Sequence, residues 1–272
     1  MLDAIAANPP RQSFFSREFL KRMIGIPMLA VGINPLAAAS LRFLPRYLSD
    51  RRKFKKAGGR IVRSLPMLGD FVAQAGTAQG HYFHQDLLVA SLIFKANPIR
   101  HIDVASRIDG FVAHVASFRE IEVLDVRELQ ETGHANIKFI RADLMVEDAS
   151  HQQIADSVSC LHAIEHFGLG RYGDPIDPNG HLAGFENIVK IMKDGGTLYI
   201  SFPIGTNPGV YFNAHRVFHP REILTWPGSD KLELVRFDFV DNSGNLHKQF
   251  PLMDKMPLAS YGCGIYTFRK HA

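Results

Sequence analysis

Residues 156–173, DSVSCLHAIEHFGLGRYG, carry the densest set of side chains able to do chemistry in this 272-residue chain. An apolar-alternating run leads directly into His162, Glu165 and His166, and Arg171, Tyr172 and Asp174 follow within eight residues. Histidine titrates near neutrality and can move a proton, and a carboxylate nearby can orient it. Three readings are open. The order H-x-x-E-H is that of an inverted zinc-protease helix, which must bring both histidines onto one helical face and find a third ligand elsewhere. Here SVSCL reads as a strand, and Gly168, Gly170 and Gly173 limit any helix to about two turns, so no metal ligand set is expected. A second reading makes the histidines caps of a turn. A third makes His162, Glu165 and His166, with His215 from FNAHRVF, orienting or basic groups acting on a substrate. Arg171, Tyr172 and Asp174, with Asn213 and Arg216, then bind a sugar or anionic acceptor. The competing structural role for Arg171 and Asp174 is a salt bridge that ties the loop.

These groups need a scaffold. From residue 99 onward, short apolar runs alternate with helical segments, which implies a parallel sheet covered by helices on both faces. The expected strands are IRHIDVA, IEVLD, IKFIRAD, SVSCLHA, GTLYISFP, LELVRFDFVD and GIYTFRK. Helices are expected over DGFVAHVASF and HPREILTW, and the last two strands read as an antiparallel hairpin on the sheet edge. Upstream, GHYFHQDLLVASLIFKANP has helical spacing and stops at Asn97-Pro98. It places His81, His84 and Gln85 at its start, as capping residues or as substrate contacts.

Polar groups at the carboxyl ends of parallel strands are where open α/β sheets bind ligands. The turn HIDVASRIDGF follows the first strand, with Ala105 where a phosphate- or cofactor-binding turn favours glycine, and with Gly110 its one glycine. G-x-G-x-x-G is absent, which disfavours a nicotinamide dehydrogenase. Asp125 ends the second strand 22 residues after Asp103, near the spacing at which a carboxylate meets a ribose. Asp143 ends the third strand.

The succession DVASRIDGF, EVLDV, IRADL, DSVSCLHAIEHF and DGGTLYISFPIG resembles the class I S-adenosylmethionine-dependent methyltransferase superfamily. The blocks HYFHQD, SRIDGFVAH, SCLHAIEHFGLGRYGDPID and FNAHRVF resemble the domain-of-unknown-function 268 family, over about residues 77 to 245. The resemblance implies a Rossmann-like methyltransferase fold with a mostly parallel, seven-stranded sheet and an antiparallel edge hairpin. It implies S-adenosylmethionine as cofactor, with Asp103, Ala105, Ser106 and Gly110 lining its methionine part. Asp125 would take the ribose hydroxyls, Asp143 and Leu144 would flank the adenine, and Leu161 and His162 would follow at the end of the fourth strand. Relatives associated with surface-polysaccharide synthesis make a glycan or polar small molecule the expected acceptor, methylated on oxygen. The alternative expectation is a non-catalytic sugar- or nucleotide-binding module on the same fold.

Composition sets the remaining bounds. With 46% hydrophobic and 21% charged residues the chain can bury a sizeable core, and a net charge of +4 gives no reason to expect a nucleic-acid partner. The basic residues cluster in residues 46–60, within an expected helical, basic appendage over residues 1–76 that precedes the α/β domain at 77–272. An uncharged run between Arg22 and Arg42 contains Pro27, Asn34 and Pro35, which suits a buried or interfacial segment better than a membrane span. Peripheral membrane contact through residues 20–60 is the matching expectation. Two cysteines, Cys160 and Cys263, imply no disulfide framework and fit a reducing cytoplasm.

Overall fold

The computed structural model describes residues 39–257 and 260–272. The chain divides into two compact units, Met1–Thr77 and Ala78–Ala272. In the first unit, Pro45 sits in the opening turn of helix α1 (Leu44–Lys56), where a missing N–H costs nothing. Lys53, Lys55 and Lys56 occupy its last turn, where cations complement the helix dipole. Arg51 donates to Ser64 Oγ at 2.9 Å, and the Arg46 guanidinium lies 4.4 Å from the centre of the Phe71 ring. The apolar run after Arg22 lies, as far as residue 38, outside the described residues, and with it much of the segment expected to touch a membrane. Among the described residues no helix is long and apolar enough to cross one.

The second unit begins with helix α2 (His81–Ala96), which buries Leu88, Val89, Ala90 and Ile93 and ends where Asn97 turns left-handed before Pro98. Strands β1 (His101–Val104), β2 (Ile121–Asp125), β3 (Ile137–Arg141), β4 (Ala155–Leu161) and β5 (Met192–Gly205) pair in parallel, with β4 beside β1. Between β1 and β2 the chain makes a wide turn at Ile108–Val112 and a single helical turn, α3 (Ala113–Ala116). Helix α4 (Gly180–Ile191) joins β4 to β5. A short ribbon, β6 (Gly209–Tyr211) with β7 (His215–Val217), projects after β5. The chain closes with β8 (Leu232–Val240), β9 (Leu246–His247) and β10 (Tyr261–Lys270).

The main sheet runs β3-β2-β1-β4-β5-β10-β8-β9, so it has eight strands where seven are expected. The eighth is β9, two residues that pair with Phe239 and Val240. The closing strands do run antiparallel, but β10 inserts between β5 and β8, and the edge belongs to β8 and β9. HPREILTW does not form the expected helix: only Glu222–Thr225 makes a turn. Trp226 is drawn instead into a ring cluster with Phe185, Phe202 and Phe218, and burying that indole outweighs the weak helical pattern of eight residues.

Alternation along the strands feeds two cores. Ile102, Val104, Val158, Cys160, Leu198 and Ile200 face Phe185 and Ile188 of α4. Val123, Leu161, Tyr199 and Ile265 face Val89 and Ile93 of α2, with Phe111 and Val112 of the wide turn. Each fully buried aliphatic side chain contributes about 1.5–3 kcal/mol, which anchors the strand ends that carry the polar residues.

Candidate active site

Chain order reverses direction across the sheet between β1 and β4, and that switch opens a crevice at the strands' carboxyl ends. The cleft there has a volume of about 270 Å³. Ala105 reaches it from β1, Asp125 from β2, Asp143 and Leu144 from beyond β3, and His162, Glu165 and His166 from beyond β4. His81, Arg171, Tyr172, Asp174 and His215 complete the set of expected residues on its wall.

The remaining expected residues do not line the cleft. The Asp103 carboxylate is fully buried, accepting from Ser106 N at 2.9 Å, Ser106 Oγ at 2.7 Å and Ser159 Oγ at 2.6 Å. Burial raises its pKa to about 6 against the pull of those three donors. Ser106 Oγ in turn accepts from Leu161 N at 3.0 Å, so Asp103 and Ser106 lock the β1 turn to the end of β4. Leu161 is core. Gly110 faces Asp86: a Cβ there would stand 2.6 Å from Asp86 Oδ2. Gln85 is buried, and its Oε1 accepts from Ser201 Oγ at 2.6 Å. His84 lies beside Phe83, off the cleft, and Asn213 is exposed in the β6–β7 ribbon. Arg216 is buried and donates to the carbonyls of Phe167 at 2.6 Å and Pro178 at 3.1 Å, a brace for the 163–179 loop.

That loop owes its path to glycines. Gly168 has φ +77°, and a Cβ on it would lie 2.0 Å from Asp177 O. Asp174 accepts from the backbone N–H of Gly168, Gly170 and Tyr172 at 2.9, 3.2 and 3.1 Å, and Arg171 donates instead to Ala214 O at 2.6 Å. Asp174 therefore ties the loop through backbone amides, and the salt bridge between Arg171 and Asp174 expected from sequence does not form.

Two residues without glycine's freedom take left-handed backbone angles here: Ala105 at φ +58° and His162 at φ +51°. For alanine that region costs about 1–2 kcal/mol. The glycine preference read from the turn is thus a real backbone demand that this chain meets with alanine. His162 Nδ1 pairs with Glu165 Oε1 at 2.7 Å, while His162 Nε2 and Glu165 Oε2 are buried without partners. Burial opposes charging His162, yet the negative charge available to Cys263 and Glu165 outweighs it and holds its pKa well above the ordinary value. His166 contributes Nδ1 to Ala214 O at 2.8 Å, and burial lowers its pKa, as it does for His215. The H-x-x-E-H residues therefore straddle a strand end and a single turn, Ile164–His166, rather than one face of a helix.

Sequence reading missed several cleft or near-cleft residues, among them Arg127, Tyr82, Tyr261 and Cys263. Arg127 grips Asp125 through Nε at 2.9 Å and Nη2, and its guanidinium lies 4.6 Å from the centre of the Tyr172 ring. Its position two residues after Asp125 is a signal that was there to be used. Tyr82 tilts against His162 at 5.0 Å. Tyr261 stacks on His81 at 5.4 Å, and His81 stacks on His162 at 5.3 Å. Burial, reinforced by the neighbouring His162, lowers the His81 pKa to about 4. Cys263 comes from β10, and no local motif announces it.

Residues 107–228 match the family model DUF268, described as a Caenorhabditis protein of unknown function. The resemblance read from the sequence stands. The fold is that of the class I methyltransferases. The [4+2]-cyclase SpnF aligns with a TM-score of 0.50 at 14% identity, over 69% of this chain and 82% of its own. The 1,6-didemethyltoxoflavin-N1-methyltransferase of Burkholderia thailandensis, solved with bound 1,6-didemethyltoxoflavin and S-adenosylhomocysteine, also aligns at 0.50 and 14%, over 87% of this chain and 89% of its own. No curated protein sequence matches the chain significantly.

Proposed function

We propose that the chain is an S-adenosylmethionine-dependent methyltransferase acting on an oxygen of a polar small molecule or glycan. The observation that carries this reading is the pairing, across one cleft, of a buried carboxylate at the end of β2 with a buried His162–Glu165 pair at the end of β4. The donor set fits the cofactor: Asp125 can accept a ribose diol, and Leu144 with Met145 offers an apolar edge for a planar base. When bound, the cofactor supplies an already activated methyl group, which leaves the protein to orient the acceptor and remove its proton. His166 suits proton removal. Its lowered pKa keeps it neutral near pH 7, and Nδ1–H donated to Ala214 O leaves Nε2 to accept. His215, also neutral, is more open to solvent. Arg171 and Tyr172, at the rim, suit a hydroxyl-rich or anionic acceptor, and the polysaccharide association of the resembling family favours a sugar.

Calorimetry with S-adenosylhomocysteine tests the reading. Binding to the wild-type chain and its loss by at least tenfold in Asp125→Ala is expected; the absence of any binding at millimolar ligand would overturn it. A second reading, a binding module that keeps the fold without the reaction, is favoured by Ala105 and by the Arg127 grip on Asp125. Transfer of a labelled methyl group from the cofactor to a component of a cell extract excludes that reading.

A further inference from the structure

The cleft wall holds one cluster that proton transfer does not use. His81 from the first turn of α2, His162 from the end of β4 and Cys263 from β10 each offer a ligand atom, and these atoms lie within 4.8 Å of one another. We propose that His81, His162 and Cys263 bind a divalent metal of the zinc class in a three-ligand site whose fourth position faces the cleft.

Four features support it. The donor set of two imidazoles and one thiolate suits zinc-like ions and is ill matched to magnesium or calcium, which take oxygen. His162 Nε2 is buried and has no hydrogen-bond partner, although a buried polar nitrogen rarely goes unpaired. Its other nitrogen already faces Glu165 Oε1 at 2.7 Å, the carboxylate–histidine arrangement that fixes a metal-binding imidazole in the right tautomer. His81 is clamped between the rings of His162 and Tyr261, which holds its rotamer in place. With metal–nitrogen and metal–sulfur bonds of about 2.0–2.3 Å, tetrahedral ligand atoms lie roughly 3.3–3.7 Å apart, so loading asks the cluster to close by about 1 Å. Cys263 now donates its thiol proton toward Gln85 Oε1 at 3.6 Å. As the metal bonds form, that proton and the one that His162, with its raised pKa, carries on Nε2 both pass to buffer.

His81 and His162 both line the cleft and Cys263 lies behind them, which directs the open coordination position toward the acceptor side. There the ion would take an acceptor hydroxyl or thiol and lower its pKa. That role rests on the methyltransferase reading, whereas metal binding does not.

The test is a titration of the full-length chain, stripped with chelator, with cobalt(II), followed by absorption. One cobalt per chain is expected, with a thiolate-to-cobalt charge-transfer band and the intense d–d bands of a tetrahedral site, all abolished by added zinc. Cys263→Ser should remove the charge-transfer band. His81→Ala, at a partly exposed helix start, should weaken cobalt affinity at least tenfold while circular dichroism and the thermal midpoint stay near wild type. A featureless titration, or spectra unchanged in His81→Ala, overturns the proposal. S-adenosylhomocysteine calorimetry on the stripped protein separates the two readings: cobalt binding without cofactor binding overturns only the methyltransferase, and the converse only the metal site.

Discussion

Arg127 decides how Asp125 is used. A carboxylate has room for about four hydrogen bonds, and here the Arg127 side chain and backbone N–H take several of them. A ribose diol must share or displace that guanidinium. The arginine is partly exposed, so the pair is worth at most about 1 kcal/mol. Arg127→Gln is accordingly expected to tighten S-adenosylhomocysteine roughly two- to fivefold by calorimetry. Weaker binding in the variant would show that Arg127 belongs to the cofactor site instead. At this scale the sequence was legible where a residue acts from a strand end. Ala105, Asp125 and His162 reach the cleft from strand ends, and Glu165 and His166 from the single turn that follows β4. It was illegible where the partner is distant in the chain: Asp103 meets Ser159, and His162 meets Cys263, through sheet pairing that no local spacing encodes.

The 163–179 loop is the element on which the acceptor side depends, since Phe167, Arg171, Tyr172 and Asp174 all hang from it. Its conformation is set by backbone carbonyls meeting Arg216, backbone amides meeting Asp174, and glycines where the chain passes close to itself. Gly168→Ala puts a methyl group against Asp177 O and forces alanine into the left-handed region. The expected cost is about 2 kcal/mol or more, read as a lower urea midpoint. A midpoint within error of wild type would mean that the loop is not held by this crossing. The glycine pattern was visible in the sequence, and it rightly limited helix length after His162. What it could not show was Arg216, whose place next to His215 suggested a substrate contact but whose buried guanidinium serves the loop. The missing helix at HPREILTW has the same origin, because Trp226 answers to rings brought in from α4 and β5.

Across the whole molecule, burial sets the response to acid. His81 and His181 are held at pKa values of about 4, and His101 at about 3, chiefly by desolvation, and His166 and His215 are lowered as well. A histidine depressed in the folded state contributes stability that is present above its unfolded pKa of about 6.5 and is lost as pH falls toward the folded value. Asp103 works the other way. Its folded pKa of about 6 against 3.8 when unfolded means that it gains stability as pH drops through that interval. His162, raised in the folded state, adds no pH dependence below 6.5, because both states are then protonated. Asp86 is raised by burial as well, and five lowered histidines against these two raised aspartates give a net loss, so the urea midpoint is expected to fall steadily from pH 7 to pH 5. His101, the first residue of β1, sealed against Ser157 and Ser159 of β4, is the most buried of the five. His101→Asn, which retains a hydrogen-bonding side chain without a titrating ring, should flatten part of that fall. A midpoint that stays level or rises between pH 7 and pH 5 would mean that the histidines are protonated in the folded state, and the cleft would then lack the neutral His166 that proton removal requires.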